Sequence, residues 1–223
     1  MEQNYSEAPV LTEKDKMKEE IKNQCKKLLD KYFEGREYDR EKVKSWKGYV
    51  LEELLDFFKK YYEGYGFCAS TFIIKKGDLR ITSTSILRSG TDSEVNYSIQ
   101  NNSMFVELRI HFYKLYKPNL NYLDYFNEDL VVKMNDMLMN KLKGKTYTYE
   151  FAKDKVQEIV QELQDFLLIP KQKPTSFHIC YILSQPIEYQ FAYKVLNIKY
   201  APLIASYSND NLYGQLVLFI FDN

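Results

Sequence analysis

The sequence predicts an α+β protein made of two tandem ααββββ units, each two helices packed on a four-stranded antiparallel sheet, joined as an intramolecular pseudo-dimer. Three observations carry that expectation. A helical stripe followed by glycine and tyrosine occurs twice. A second helical stripe follows each time. Four β-like stretches then close each half.

The first stripe is Ile21, Cys25, Leu28, Leu29 and Phe33, and the matching one is Leu130, Met134, Met137, Leu138 and Leu142. Both use spacings of 4, 3, 1 and 4, which place five side chains on one helical face. Gly35 and Gly144 follow as helix stops, then Tyr38 and Tyr147, each pair 109 residues apart (144 − 35, 147 − 38). The second helices carry Val43, Trp46, Val50, Leu54 and Phe57 in one half, and Val156, Ile159, Leu163, Phe166 and Leu167 in the other. Asp39 and Thr148 stand where N-caps belong.

The strand stretches of the first half span 67–76, 79–88, 93–100 and 104–112, and those of the second span 176–184, 188–196, 202–208 and 212–221. Carried into the last strands, the same offset aligns Met104 with Tyr213 and Phe112 with Phe221. Turns are expected at Gly77-Asp78, Ser89-Gly90, Asn101-Asn102, Pro186 and Asn209-Asp210-Asn211. Pro202 marks its strand as an edge. The expected domains are 11–114 and 125–223, joined by the linker 115–124 with Pro118 inside it.

Composition narrows the function. The 223 residues carry 31 basic and 31 acidic side chains, and neither half is markedly charged, so no nucleic-acid partner is expected. The longest apolar run, Leu216 to Phe221, is far too short for a membrane span, so no membrane partner is expected either. The polar N-terminus and three cysteines without a CxxC pair fit a reducing cytoplasm. Twenty tyrosines and fourteen phenylalanines suit sheets and interfaces.

Catalysis finds little support. His111 and His178 are the only histidines, and no third ligand accompanies the His178–Cys180 pair, so no metal site is expected. Gly90-Thr91-Asp92-Ser93 lacks the spaced glycines and lysine of a phosphate loop. Asp92, Glu94 and Glu107 have no paired spacing that acid–base work would use. Trp46 reads as core packing, and Cys68 and Cys180 as thiols facing each other across the pseudo-dimer. The expectation is a non-enzyme without cofactor.

The stretches EYDREKVKSWKGYVLEELLDFF (37–58), GFCASTFIIKKGDLRITSTSILRSGTDSE (66–94) and NNSMFVELRIHF (101–112) resemble the Tctex-type dynein light chain family over residues 13–113. The second half, 126–221, is similar in pattern only, with Lys155 where Trp46 aligns and Pro186 in place of a turn glycine. The first half also departs, with Leu87-Arg88-Ser89 in place of the family's aromatic-Trp-Asp segment.

The resemblance implies a non-catalytic dynein subunit that forms strand-exchanged pairs. Such a subunit binds an extended segment of a dynein intermediate chain by sheet-edge addition. Other dynein light chains, and a paralogous Tctex-type chain, are the further partners it implies. The exchanged second strands put the candidate contacts at Arg80, Thr82, Thr84 and Ile86, and at Tyr189, Phe191, Tyr193 and Val195. The resemblance implies a place in the cytoplasm, on the cytoskeleton, and the fused, divergent form and the Lys/Asn/Tyr-rich composition add the expectation of a ciliary axoneme. The alternative keeps the fold without a motor, as a structural protein of a ciliary or microtubule scaffold.

Overall fold

The computed structural model describes residues 12–76, 79–86, 92–115, 127–168, 176–185, 189–196 and 202–221. The turns expected at Gly77-Asp78, Ser89-Gly90 and Pro186, and the linker from 116 onward, lie outside these residues. The element order is α1 (Glu13–Phe33), α2 (Arg40–Tyr61), β1 (Tyr65–Lys75), β2 (Leu79–Ile86), β3 (Asp92–Gln100) and β4 (Met104–Lys114). It continues with α3 (Asn127–Leu142), α4 (Tyr149–Leu168), β5 (Ser176–Ser184), β6 (Tyr189–Leu196), β7 (Leu203–Asn209) and β8 (Leu212–Phe221). The fold is α+β, with the same order of elements in each half.

The helices form for the reasons the spacing indicates. Ile21, Cys25, Leu28, Leu29 and Phe33 are all buried on α1, as are Leu130, Met134, Met137, Leu138 and Leu142 on α3. Both helices end at a glycine of positive φ, +66° at Gly35 and +70° at Gly144, a conformation that side chains with a Cβ rarely adopt. The Asp39 carboxylate accepts from the backbone N–H groups of Glu41 and Lys42, and the Thr148 hydroxyl accepts from Phe151. On α2 Val43, Val50, Leu51, Leu54 and Phe58 are buried, while Phe57 is only half-buried. Trp46 is also half-buried, edge-on to Phe33 and beneath the Arg36 guanidinium.

The two sheets run β3-β4-β1-β6 and β2-β5-β8-β7. Each half therefore gives its second strand to the other half's sheet. β6 pairs antiparallel with β1, Ser70 opposite Tyr193, and β2 pairs antiparallel with β5, Ser83 opposite Cys180. Helices α1 and α2 cover the first sheet, with Phe67, Ile73, Val106, Leu108 and Ile110 beneath them. Helices α3 and α4 cover the second, over Ile179, Tyr181, Leu183, Leu216 and Leu218. A third core joins the opposite faces of the two sheets through Cys68, Phe72, Ile74, Tyr113, Cys180 and Phe219. β1 is buried on both faces from Gly66 to Ile74, as a strand between two layers must be.

The strand alignment expected at an offset of 109 is corrected by the structure. Met104 and Leu212 are the buried pair that face their own helices, whereas Tyr213 is half-buried. The final hairpins thus correspond at 108 (212 − 104). Strand faces alternate, so a slip of one residue exchanges inside for outside.

The same lock ties the hairpin to the helical turn in both halves. The Asn101 side-chain amide donates to the Arg36 carbonyl, and that of Asn209 donates to the Lys145 carbonyl. The Asn101 Oδ1 also accepts from the backbone N–H groups of Ser103 and Met104. We expect Asn101→Ala to lower the unfolding free energy by about 2 kcal/mol, because several partners lose their bond together. A denaturant midpoint equal to that of the unsubstituted chain would contradict this role.

Candidate peptide-binding edges

The exchange sets both second strands at sheet ends. β6 terminates the first sheet beside β1, and β2 terminates the second beside β5. An end strand can present one row of backbone N–H and C=O groups to an incoming chain. α2 packs beside β6 and α4 beside β2, so each end strand lies next to a helix of the sheet that hosts it. Lys194 on β6 approaches Glu52 on α2, at 4.0 Å. Glu52 belongs to this corner by virtue of α2's exposed face, a surface signal that no motif carries.

Register places the expected contact residues. Residues 80, 82 and 84 stand opposite Leu183, Tyr181 and Ile179, which face α3 and α4. Positions 189, 191, 193 and 195 stand opposite Ile74, Phe72, Ser70 and Cys68, on the face toward the other sheet. Tyr193 meets Phe219 edge-on there at 5.5 Å, and Val195 packs into the same core. Residue 86 follows opposite residue 177, so the two sets fall at register positions on different sides of their sheets. Ala192, between Phe191 and Tyr193, packs toward α1 and α2 instead.

The layer between the sheets holds polar groups that the alternation alone would assign to solvent. Arg109 and Glu107 form an ion pair at 2.7 Å, with side chains 9% and 15% exposed. Arg109 also lies over the Phe72 ring at 5.4 Å. The rings of His111 and His178 are 5.6 Å apart, and His178 Nε2 is 3.1 Å from the Cys180 sulfur. Burial holds the His178 imidazole down at about 4, with Glu94 pulling upward and Arg109 downward. Burial, aided by His178, holds His111 well below its ordinary value. Burial pushes the Cys180 thiol up to about 12, and burial with the neighbouring Cys180 raises Cys68 well above its usual range. Such thiols stay protonated and are poor nucleophiles. Among the described residues no three His, Cys, Asp or Glu side chains are grouped to hold a metal.

Residues 16–112 match the Tctex-1 family model. This part of the chain is similar to the Tctex-1 family. The match ends at Phe112, within β4, and covers the helices and strands of the first half. The Tctex-1 family is one of dynein light chains, associated with the cytoskeleton and generally non-catalytic. No curated protein matches the chain. Among the described residues, no helix is long and apolar enough to cross a membrane.

Proposed function

We propose that this chain is a non-catalytic dynein light chain whose end strands receive an extended segment of a dynein intermediate chain. The observation that carries the reading is the exchange itself: β2 and β6 both lie at the ends of sheets built mainly by the other half. Backbone hydrogen bonds to such an end supply affinity, and alternating side chains supply selectivity. The contacts would be Arg80, Thr82, Thr84 and Ile86 on one end strand and Tyr189, Phe191, Tyr193 and Val195 on the other.

Two Tctex-like domains, 11–114 and 125–223, make the pair within one chain, the second a divergent mate for the first. Covalent linkage keeps that mate at high effective concentration. Other dynein light chains, including a paralogous Tctex-type chain, would join the same complex. We place that complex in a ciliary axoneme.

Hydrogen exchange tests the mode of binding. Adding a synthetic dynein intermediate-chain segment to the full protein should slow exchange of amides in 79–86, 189–196 or both, and leave the helices unchanged. Binding without protection in either strand, or no binding at all, would remove the edge-addition reading.

A further inference from the structure

The layer between the two sheets differs according to the half that supplies it. Register defines which positions correspond. Met104 and Leu212 are equivalent, so β4 and β8 correspond at an offset of 108 (212 − 104). On β1, Cys68 lies opposite His111 and Ser70 opposite Arg109. On β5, His178 lies opposite Phe219 and Cys180 opposite Val217. Cys68 therefore corresponds to His178 and Ser70 to Cys180, both at an offset of 110 (178 − 68, 180 − 70). The Ser70 hydroxyl faces the Cys180 thiol across the layer. Two equivalent residues that face each other mark a pseudo-twofold axis between the halves.

Around this axis the charge comes from one side. Glu94 lies on β3, and Glu107 and Arg109 lie on β4. Their equivalents at 108 are Pro202, Gln215 and Val217 (202 − 94, 215 − 107, 217 − 109). Among the described residues the second half brings no charged side chain to the layer. Arg109 is buried against Phe72 and paired with Glu107, and its charge is felt at His178 and Cys180 of the other half. The axis thus relates a long, charged Arg109 to a short, apolar Val217.

Like halves could not share this layer well. Two first halves would bury two Arg109–Glu107 pairs where one now fits, with two guanidinium groups beside the axis. Two second halves would set Val217 on both sides and leave the space of Arg109 unfilled.

We propose that the layer is a partner filter: the first half accepts the second half of such a chain, its own or that of another copy, and refuses another first half. Selection comes from the cost imposed on the wrong pair rather than from extra contact in the right one. The filter is independent of what the sheet ends bind.

The test gives the halves a choice. The full chain carries a protease site within the linker 115–124, is folded and cut, and is then unfolded in urea and refolded by dilution. Native mass spectrometry separates the three possible pairs, because the halves differ in mass. Pairs of like halves are expected at less than about a tenth of the unlike pairs. Glu107→Gln with Arg109→Val gives the first half the residues of the second and should raise first–first pairs about tenfold. The reciprocal variant, Gln215→Glu with Val217→Arg, reads the same preference from the other half and should lower the share of unlike pairs. A statistical mixture from the unsubstituted protein would overturn the filter, whatever the variants do. Like pairs as scarce in both variants as in the unsubstituted protein would overturn the part assigned to Arg109 and Glu107.

Discussion

Lowering the pH from 7 to 5 is expected to cost the folded protein about 2 kcal/mol through His178, with a further loss in the same direction through His111. His111 and His178 lie between the two sheets, their rings 5.6 Å apart. Phe219, Tyr113 and the Cys180 thiol surround them, with Arg109 and Glu94 as the nearby charges. Burial keeps both rings neutral in the native state, His178 down to about 4. The unfolded chain protonates each near 6.5, so below that pH it binds more protons than the native state. Native stability is therefore full above about pH 6.5 and falls as the pH drops toward the native value. Denaturant midpoints measured at pH 7.5, 6 and 5 should decline in step. The double variant His111→Phe, His178→Phe removes both titrations and should flatten the curve. A curve of unchanged slope in that variant would place the acid sensitivity elsewhere.

The helices of this protein were legible from spacing because a helix face tolerates small changes in connection length. Each stripe is complete within one element, and the stops at Gly35 and Gly144 and the caps at Asp39 and Thr148 sit where the sequence predicts them. Strands were legible as strands, but their alignment between halves was not. Period-two alternation turns a one-residue difference in a connection into a change of face, as Met104 and Tyr213 demonstrate. The exchange could not be read from local pattern, since β2 and β6 look the same whichever sheet receives them. It was reached only through family resemblance.

The polar layer was hidden for a related reason. Glu107, Arg109 and His111 alternate with Val106, Leu108 and Ile110 on β4, a pattern that ordinarily marks a solvent face. Their burial comes from a second sheet that lies far away in sequence.

Arg109→Met alone is expected to destabilise the protein by about 3 kcal/mol, and Arg109→Met with Glu107→Gln by much less. The single change leaves the Glu107 carboxylate without its 2.7 Å partner, in a layer where its side chain is only 15% exposed. The double change removes both charges and keeps long, flexible side chains in the space. Among the described residues the buried Arg109 Nε has no hydrogen-bond partner, which adds to the cost of holding the guanidinium there. A double-mutant cycle at pH 7 should therefore give a coupling of on the order of 2 kcal/mol, and additive effects would refute the assignment of a coupled buried pair.

The same variant bears on the histidines. Arg109 is the positive charge that presses the His178 imidazole downward, and Glu94 is the negative charge that opposes it. Without Arg109, Glu94 acts unopposed and the native His178 should titrate closer to its ordinary value. The gap between native and unfolded proton affinities then narrows, so less stability is lost on acidification. Arg109→Met should thus be less stable than the unsubstituted chain at pH 7 yet show a shallower decline between pH 7 and 5. A parallel decline would mean that burial alone, the larger of the two causes, sets the histidine.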